Sequence, residues 1–323
     1  MNDYKIGYLN VGDYKGFISY IKYINDKYNL QLNIIEVEDY TKDECDLVIY
    51  PQNSIIYDIL LDRTVFKNAK GNPKFLMFIT VEPHTCISSS YWNDHGSDDL
   101  TLYRTLTNYV PFCTQYKCYA ISTYKDTSHN CCIPYCIDTW EVNKILYNNS
   151  IEKNKSLDKT KFCSMIFSHI TKERETIYKL LSEYKRIDSY GNMLKNVEDR
   201  YYDDNELNIL LPNYKFNICF ENTHSDYNET YVTEKICRAF QWGTIPIYWG
   251  NNKQIYEIFN EKSFINLTDV PENKWVDIIK EYDTNDELYK QMLNEQPIIN
   301  KDIHNQFFEK KEKFIIKILT KEY

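Results

Sequence analysis

The chain has 323 residues, 43% of them hydrophobic, and a formal net charge of −9. That length suits two domains, and that apolar content is enough for globular cores. The acidic balance speaks against a nucleic-acid partner. No stretch of the sequence approaches the ~20 apolar residues that cross a bilayer, so no integral membrane segment is expected. The opening lacks a charged start, an apolar run and a small-residue cleavage site, which makes the cytoplasm the expected location.

In chain order, residues 5–9 predict a short strand, with Gly12 in the turn that follows. Residues 17–28 have helical spacing, with Ile18, Ile21 and Ile24 on one side. Strands are expected at 30–37, 46–50 and 75–80, the last two ended by Pro51 and Pro83. Strands alternating with helical patterns predict a parallel sheet with crossovers. The opening has no G-x-G-x-x-G, so a dinucleotide is not expected there. Glu82 follows L-M-F-I-T-V and precedes a proline. It therefore stands at the carboxyl end of a strand, where substrates lie in such sheets. It is the candidate catalytic base, His84 is the second candidate, and a loop carboxylate in water is the plain alternative. Residues 88–94, S-S-S-Y-W-N-D, make a polar-aromatic loop that suits either a sugar or open solvent.

The ten cysteines include Cys131, Cys132 and Cys136, close to His129. The spacing lacks a C-x2-C pair and a second half, so a zinc site is not expected. Cys163, Cys219 and Cys237 sit in apolar patterns as core thiols. Residues 148–161 are polar and charged and predict a linker between domains at 1–150 and 161–305. The second domain opens with a strand at 162–168 and a helix at 173–184. The run 186–196, R-I-D-S-Y-G-N-M-L-K-N, ends in a segment carrying Lys195.

Residues 213–250 hold the densest pattern. Residues 214–220 alternate as a strand, and 221–230 are polar. Thr233 can cap a helix whose apolar positions are Ile236, Ala239 and Phe240, stopped by Gly243 at C′. A second buried strand covers 244–249. This is one βαβ unit. A helix N-terminus carrying Lys235 suits a diphosphate. Glu234 can accept from sugar hydroxyls, and Tyr231 can stack on a base or ribose. The plain alternative is an ordinary βαβ unit with a solvated Glu-Lys pair. Beyond it, 264–267 predicts a strand, 275–282 and 287–294 predict helices, and 307–319 an amphipathic helix.

F-E-N, Y-V-T-E-K and G-T-I-P-I-Y-W-G in this stretch closely resemble the donor-binding signature of the family 10 glycosyltransferases, the α1,3/4-fucosyltransferases. Residues 161–196 extend the resemblance, with Arg174 at the position of a family Arg and Lys195 near one that some members use on the donor pyrophosphate. Lysine there supplies charge without a bidentate fork. The T-V-E-P segment places Glu82 where the family has its proposed base. The resemblance implies an α/β fold in the GT-B arrangement, two Rossmann-like domains with a cleft between them. It also implies a closing helix over 306–323 that crosses back onto the first domain. Asn222, Tyr231, Glu234 and Lys235, with Lys195, would hold GDP-fucose, and no metal or other cofactor would be required. The expected reaction is inverting transfer of L-fucose from GDP-β-L-fucose to an acceptor oligosaccharide or glycoconjugate, with O3 the expected hydroxyl and an α-fucoside the product. The sequence departs from the family in a longer 223–230 loop and in Thr230, where many members have Asp. Two alternatives stand beside this one. Glu221 and Glu229 are spaced E-x7-E, as in retaining GT-B transferases that use other nucleotide sugars. The chain could also be a catalytically silent sugar-binding protein.

Overall fold

A computed structural model of the chain describes residues 2–8, 14–51, 68–79, 118–122, 126, 128–139, 141–148, 150–198, 200–222 and 231–320. The chain divides into two units, Met1–Pro134 with Asn305–Tyr323, and Tyr135–His304.

The first unit is built on six strands: β1 (Asn2–Tyr8), β2 (Leu32–Val37), β3 (Leu47–Pro51), β4 (Lys74–Ile79), β5 (Cys118–Ser122) and β6 (Asn130–Cys132). They lie in the order β2-β1-β3-β4-β5-β6 and every pairing is parallel. Helix α1 (Tyr14–Lys27) crosses from β1 to β2 and buries Ile18, Ile21 and Ile24, the stripe that its spacing predicts. Strands β5 and β6 were not anticipated, because the sequence from 108 to 135 has no clear period.

The second unit opens with three short helices, α2 (Tyr135–Asp138), α3 (Glu141–Tyr147) and α4 (Ser150–Lys155). Its sheet has β7 (Lys161–Met165), β8 (Ile187–Ser189), β9 (Tyr214–Phe220), β10 (Ile245–Trp249) and β11 (Ile265–Asn266). The order is β11-β10-β9-β7-β8, again all parallel. Helices α5 (Lys172–Tyr184), α6 (Asp204–Leu210), α7 (Glu234–Gln241), α8 (Asn252–Ile258), α9 (Trp275–Thr284) and α10 (Asp286–Asn294) complete the unit. One face of the sheet, with Met165, Phe216, Ile218 and Ile247, packs with Ile177 and Leu181 of α5, Trp275 and Ile279 of α9, and Met292 of α10. Helices α6 and α8 were missed, although Asp203 and Glu206 form a capping box at the start of α6.

The boundary differs from the expected one. It falls at Pro134 rather than near 150, and the expected linker at 148–161 contains α4 and leads directly into β7. Polar residues of this segment are engaged: Asn154 Nδ2 donates to Gln241 O at 2.8 Å, and Lys159 Nζ donates to Asn154 O at 2.8 Å and to Pro212 O at 2.6 Å. Gly243, at φ +64°, closes α7, and a Cβ there would meet Lys155 N at 2.6 Å. The segment therefore backs the C-terminal end of α7, while Cys136 N of α2 donates to Val232 O, just before its start, at 3.0 Å.

The last helix, α11 (Ile303–Thr320), lies almost wholly in the first unit. It buries Phe314, Ile315, Ile318 and Leu319, and Phe314 meets the Tyr119 ring of β5 edge-on at 6.3 Å. Its buried Glu312 accepts from Lys27 Nζ and Tyr28 Oη, each at 2.7 Å. Among the described residues no helix is long and apolar enough to cross a membrane.

Candidate functional site

The second sheet runs outward from β7 to β8 and resumes on the other side of β7 with β9. Its strand order thus reverses between β7 and β9, and ligands of open parallel sheets bind beyond the carboxyl ends at such a point. Two charged groups are buried there. The first is Arg174, in the first turn of α5, which is 2% exposed. Its Nε and Nη2 donate to Phe220 O at 3.2 and 2.7 Å, and its Nη1 donates to His169 O at 2.9 Å. The guanidinium also lies 4.1 Å from the centre of the Phe167 ring. Arg174 thereby ties the loop after β7 to the last residue of β9.

The second is Glu221, the residue after β9, which is completely buried. Thr233 N donates to its Oε1 at 2.7 Å, and Thr233 Oγ1 donates to its Oε2 at 2.8 Å. Lys235 Nζ stands 3.4 Å from Oε2 and donates to Thr233 Oγ1 at 3.0 Å. Burial pushes the Glu221 carboxyl above its ordinary value, and the Lys235 ammonium and the Thr233 bonds only partly offset this. Thr233 is the N-cap of α7, as its position predicts, with its side chain accepting from Lys235 N. One carboxylate thus joins the end of the strand to the start of the helix.

Two glycines make room for this arrangement. A Cβ on Gly250, just after β10, would lie 2.8 Å from Glu221 Cγ. A Cβ on Gly191, in the loop after β8, would lie 2.2 Å from Phe167 O. In both places a backbone approaches too closely for a side chain.

The predicted donor residues fall as follows. Asn222, Tyr231, Glu234 and Lys235 gather at the β9–α7 edge. Asn222 Nδ2 donates to Tyr231 Oη at 3.5 Å. Tyr231 is 2% exposed, so its ring is part of the core rather than an open stacking platform. Glu234 is partly exposed, with Oε1 3.7 Å from Lys235 Nζ. Lys235 is 18% exposed and turned toward Glu221. Lys195 lies after β8, two strands from β9, and donates to Arg200 O at 2.6 Å. Glu82, His84, the 88–94 loop, Glu229 and Thr230 lie outside the described residues. Cys131 and Cys132 are buried in β6, and His129 stacks on Tyr119 with ring centres 5.3 Å apart. Among the described residues no group of His, Cys, Asp or Glu side chains is placed to hold a metal ion.

The sequence did not reveal the role of Glu221. The available signal was a carboxylate placed directly after the strand Y-K-F-N-I-C-F and twelve residues before a predicted N-cap Thr. What the edge offers chemically is the positive end of α7, the Lys235 ammonium and hydrogen-bonding groups on Asn222 and Glu234. These suit a diphosphate bearing a sugar.

Two Rossmann-like α/β units with such an edge define a GT-B glycosyltransferase fold. The crystal structure of an α1,3-fucosyltransferase with GDP-fucose shares it, with a TM-score of 0.61 at 20% identity over 99% of this chain and 91% of that one. Residues 156–316 match the model of the family described as glycosyltransferase family 10 (fucosyltransferase) C-term, and this half of the chain belongs to that family. A putative fucosyltransferase of Acanthamoeba polyphaga mimivirus is 32% identical over 193 residues, 52% of this chain and 31% of that protein. The α-(1,3)-fucosyltransferase FucT of Helicobacter pylori is 36% identical over 137 residues, 42% of this chain and 27% of that protein. The matches thus span less than a third of the length of either relative.

Proposed function

We propose that this chain is an inverting fucosyltransferase that moves L-fucose from GDP-β-L-fucose to O3 of an acceptor glycan, giving an α-fucoside. The observation that carries the reading is the Glu221–Thr233–Lys235 cluster at the start of α7, inside the family 10 half of the chain. The H. pylori relative, an α-(1,3)-fucosyltransferase, supports the 3-position, and the structural neighbour, an α1,3-fucosyltransferase with GDP-fucose, supports the donor.

In this reading the donor diphosphate lies against the N-terminus of α7. Lys235 and the helix dipole stabilise the charge that gathers on GDP as the glycosidic bond breaks. Arg174 holds the end of β9 in place, and Asn222 and Glu234 bind donor hydroxyls. The cation and the helix N-terminus supply the charge that a metal ion supplies in other transferases. Glu82 is the base, taken from its place in the T-V-E-P segment of the sequence; it removes the acceptor proton as the hydroxyl attacks the anomeric carbon. Glu221 argues against the retaining alternative, since both oxygens of the first carboxylate in E-x7-E are taken up by Thr233 and Lys235.

The test is incubation with labelled GDP-fucose over a glycan array, followed by proton NMR of the product. Transfer with an α-anomeric signal is expected. A β-fucoside would overturn inversion, and GDP binding without transfer to any glycan would favour the silent sugar-binding protein.

A further inference from the structure

We infer that Glu221 is a positioning residue for the leaving diphosphate. Its buried carboxylate holds and partly neutralises the Lys235 ammonium at the start of α7. The cation then stabilises GDP as it departs without retaining it afterwards. This deepens, and rests on, the donor reading proposed above.

A carboxylate is almost never fully buried unless it is paired and hydrogen-bonded. Glu221 meets both conditions through one short stretch: Thr233 N–H at 2.7 Å, Thr233 Oγ1 at 2.8 Å and Lys235 Nζ at 3.4 Å. The other titratable groups that face it are Glu234 from α7, Cys219 from β9 and Tyr248 from β10. Lys235 is the cation in that set. Gly250 lets the backbone after β10 pass close to Glu221 Cγ, since a Cβ there would stand only 2.8 Å away. F-E-N, T-E-K and W-G therefore converge on one carboxylate, although they are separate in the sequence. That convergence is more than an N-cap needs, because the Thr233 side chain alone caps α7.

The chemistry follows from the pairing. An ammonium shared with a carboxylate attracts a diphosphate less than an unshared one does. A cation already held in place needs no reorganisation as charge builds on the leaving group. Removing the charge of Glu221 while keeping its shape should therefore move two constants in opposite senses. GDP should bind more tightly, and turnover should slow. A purely structural role would change neither constant per folded molecule.

The experiment compares the wild-type chain, Glu221→Gln, Lys235→Met and the double variant. GDP affinity and the fraction of competent protein come from titration calorimetry, and kcat from GDP-fucose turnover. For Glu221→Gln we expect a GDP Kd lowered about 3-fold or more and a kcat lowered about 10-fold or more. Both effects should vanish in the Lys235→Met background, because the two residues act as a unit. Wild-type constants in Glu221→Gln, or undiminished effects in the Met background, would overturn the assignment. If Glu221→Gln fails to fold, the double variant is compared with Lys235→Met alone. Constants at or better than those of Lys235→Met support the assignment, and a further loss overturns it. A wild-type chain that neither binds GDP nor transfers fucose would overturn the functional reading itself, and this inference with it.

Discussion

Gly250 shows how little freedom the residues around the β9–α7 edge retain. A Cβ at this position would stand 2.5 Å from Tyr248 Oη and 2.8 Å from Glu221 Cγ. Neither neighbour can easily move. Tyr248 is fully buried and accepts from Asn251 N at 3.0 Å, which shapes the turn after β10. Glu221 is anchored by Thr233 and Lys235. Gly250→Ala is therefore expected to destabilise the protein by about 1–3 kcal/mol, the usual range for forcing a methyl into a filled core. The atom displaced belongs to the Lys235 partner, so kcat/KM should fall by more than the loss of folded protein explains. Thermal denaturation with kinetics on the folded fraction checks this, and a variant with unchanged melting temperature and activity would mean that the turn yields to a methyl without strain.

At the scale of elements, Asp283 at the end of α9 does for the start of β9 what Glu221 does beyond its end. It accepts from Lys215 Nζ of β9 at 2.9 Å, from Lys185 Nζ after α5 at 2.5 Å and from Tyr184 Oη at 2.8 Å. Burial raises its pKa, but the bonds from Lys185, Lys215 and Tyr184 outweigh burial and hold it below the ordinary aspartate value. A depressed folded pKa gives stability that is present above the unfolded value of about 3.9 and is lost as pH falls through the folded one. Asp283→Asn should cost about 2 kcal/mol at pH 7, below the usual figure for breaking a buried pair because Lys185 is half exposed and can turn to water. The deficit should shrink below pH 4, where the wild type loses its own charge. Denaturant melts at pH 7 and pH 3 test this, and an equal deficit at both would show that charge plays no part. Legibility at this scale followed periodicity. Residues 214–220, with six of seven positions buried, were readable as β9 to the residue, and Thr233 and Gly243 bounded α7 in advance. Helix α4 was not readable, because S-I-E-K-N-K offers a single apolar residue, Ile151, and its helicity depends on packing against α7. At the site, the N-cap and the lysine were legible from local spacing. The turn of Lys235 toward Glu221, fourteen residues away, and the burial of Tyr231 are tertiary facts with no local signature.

At the scale of the whole molecule, both units begin their sheets in the same way: the second strand lies on one side of the first and the third on the other. Alternating strands and helical patterns made the parallel class readable, but they do not say which unit takes the nucleotide. Neither unit opens with a glycine-rich phosphate loop, so in the proposed reading the donor is held by charge and helix ends. Those features are gathered in the second unit, at Arg174, Glu221, Thr233 and Lys235. GDP-fucose is thus expected to stabilise the second unit. Its effect should exceed that of GDP-mannose, which shares the base and diphosphate and differs in the sugar that Asn222 and Glu234 would read. At a hundred times its Kd a ligand contributes about 2.7 kcal/mol, or roughly 5–10 °C in melting temperature for a unit of this size. The first unit supplies an internal reference. Amide hydrogen exchange with GDP-fucose should show its strongest protection across 214–250, where the loss of free N–H groups at the start of α7 is largest. Equal melting shifts for the two nucleotides would remove the sugar-reading role from Asn222 and Glu234. Absent shifts, or protection concentrated outside 214–250, would remove the donor from this edge of the second unit.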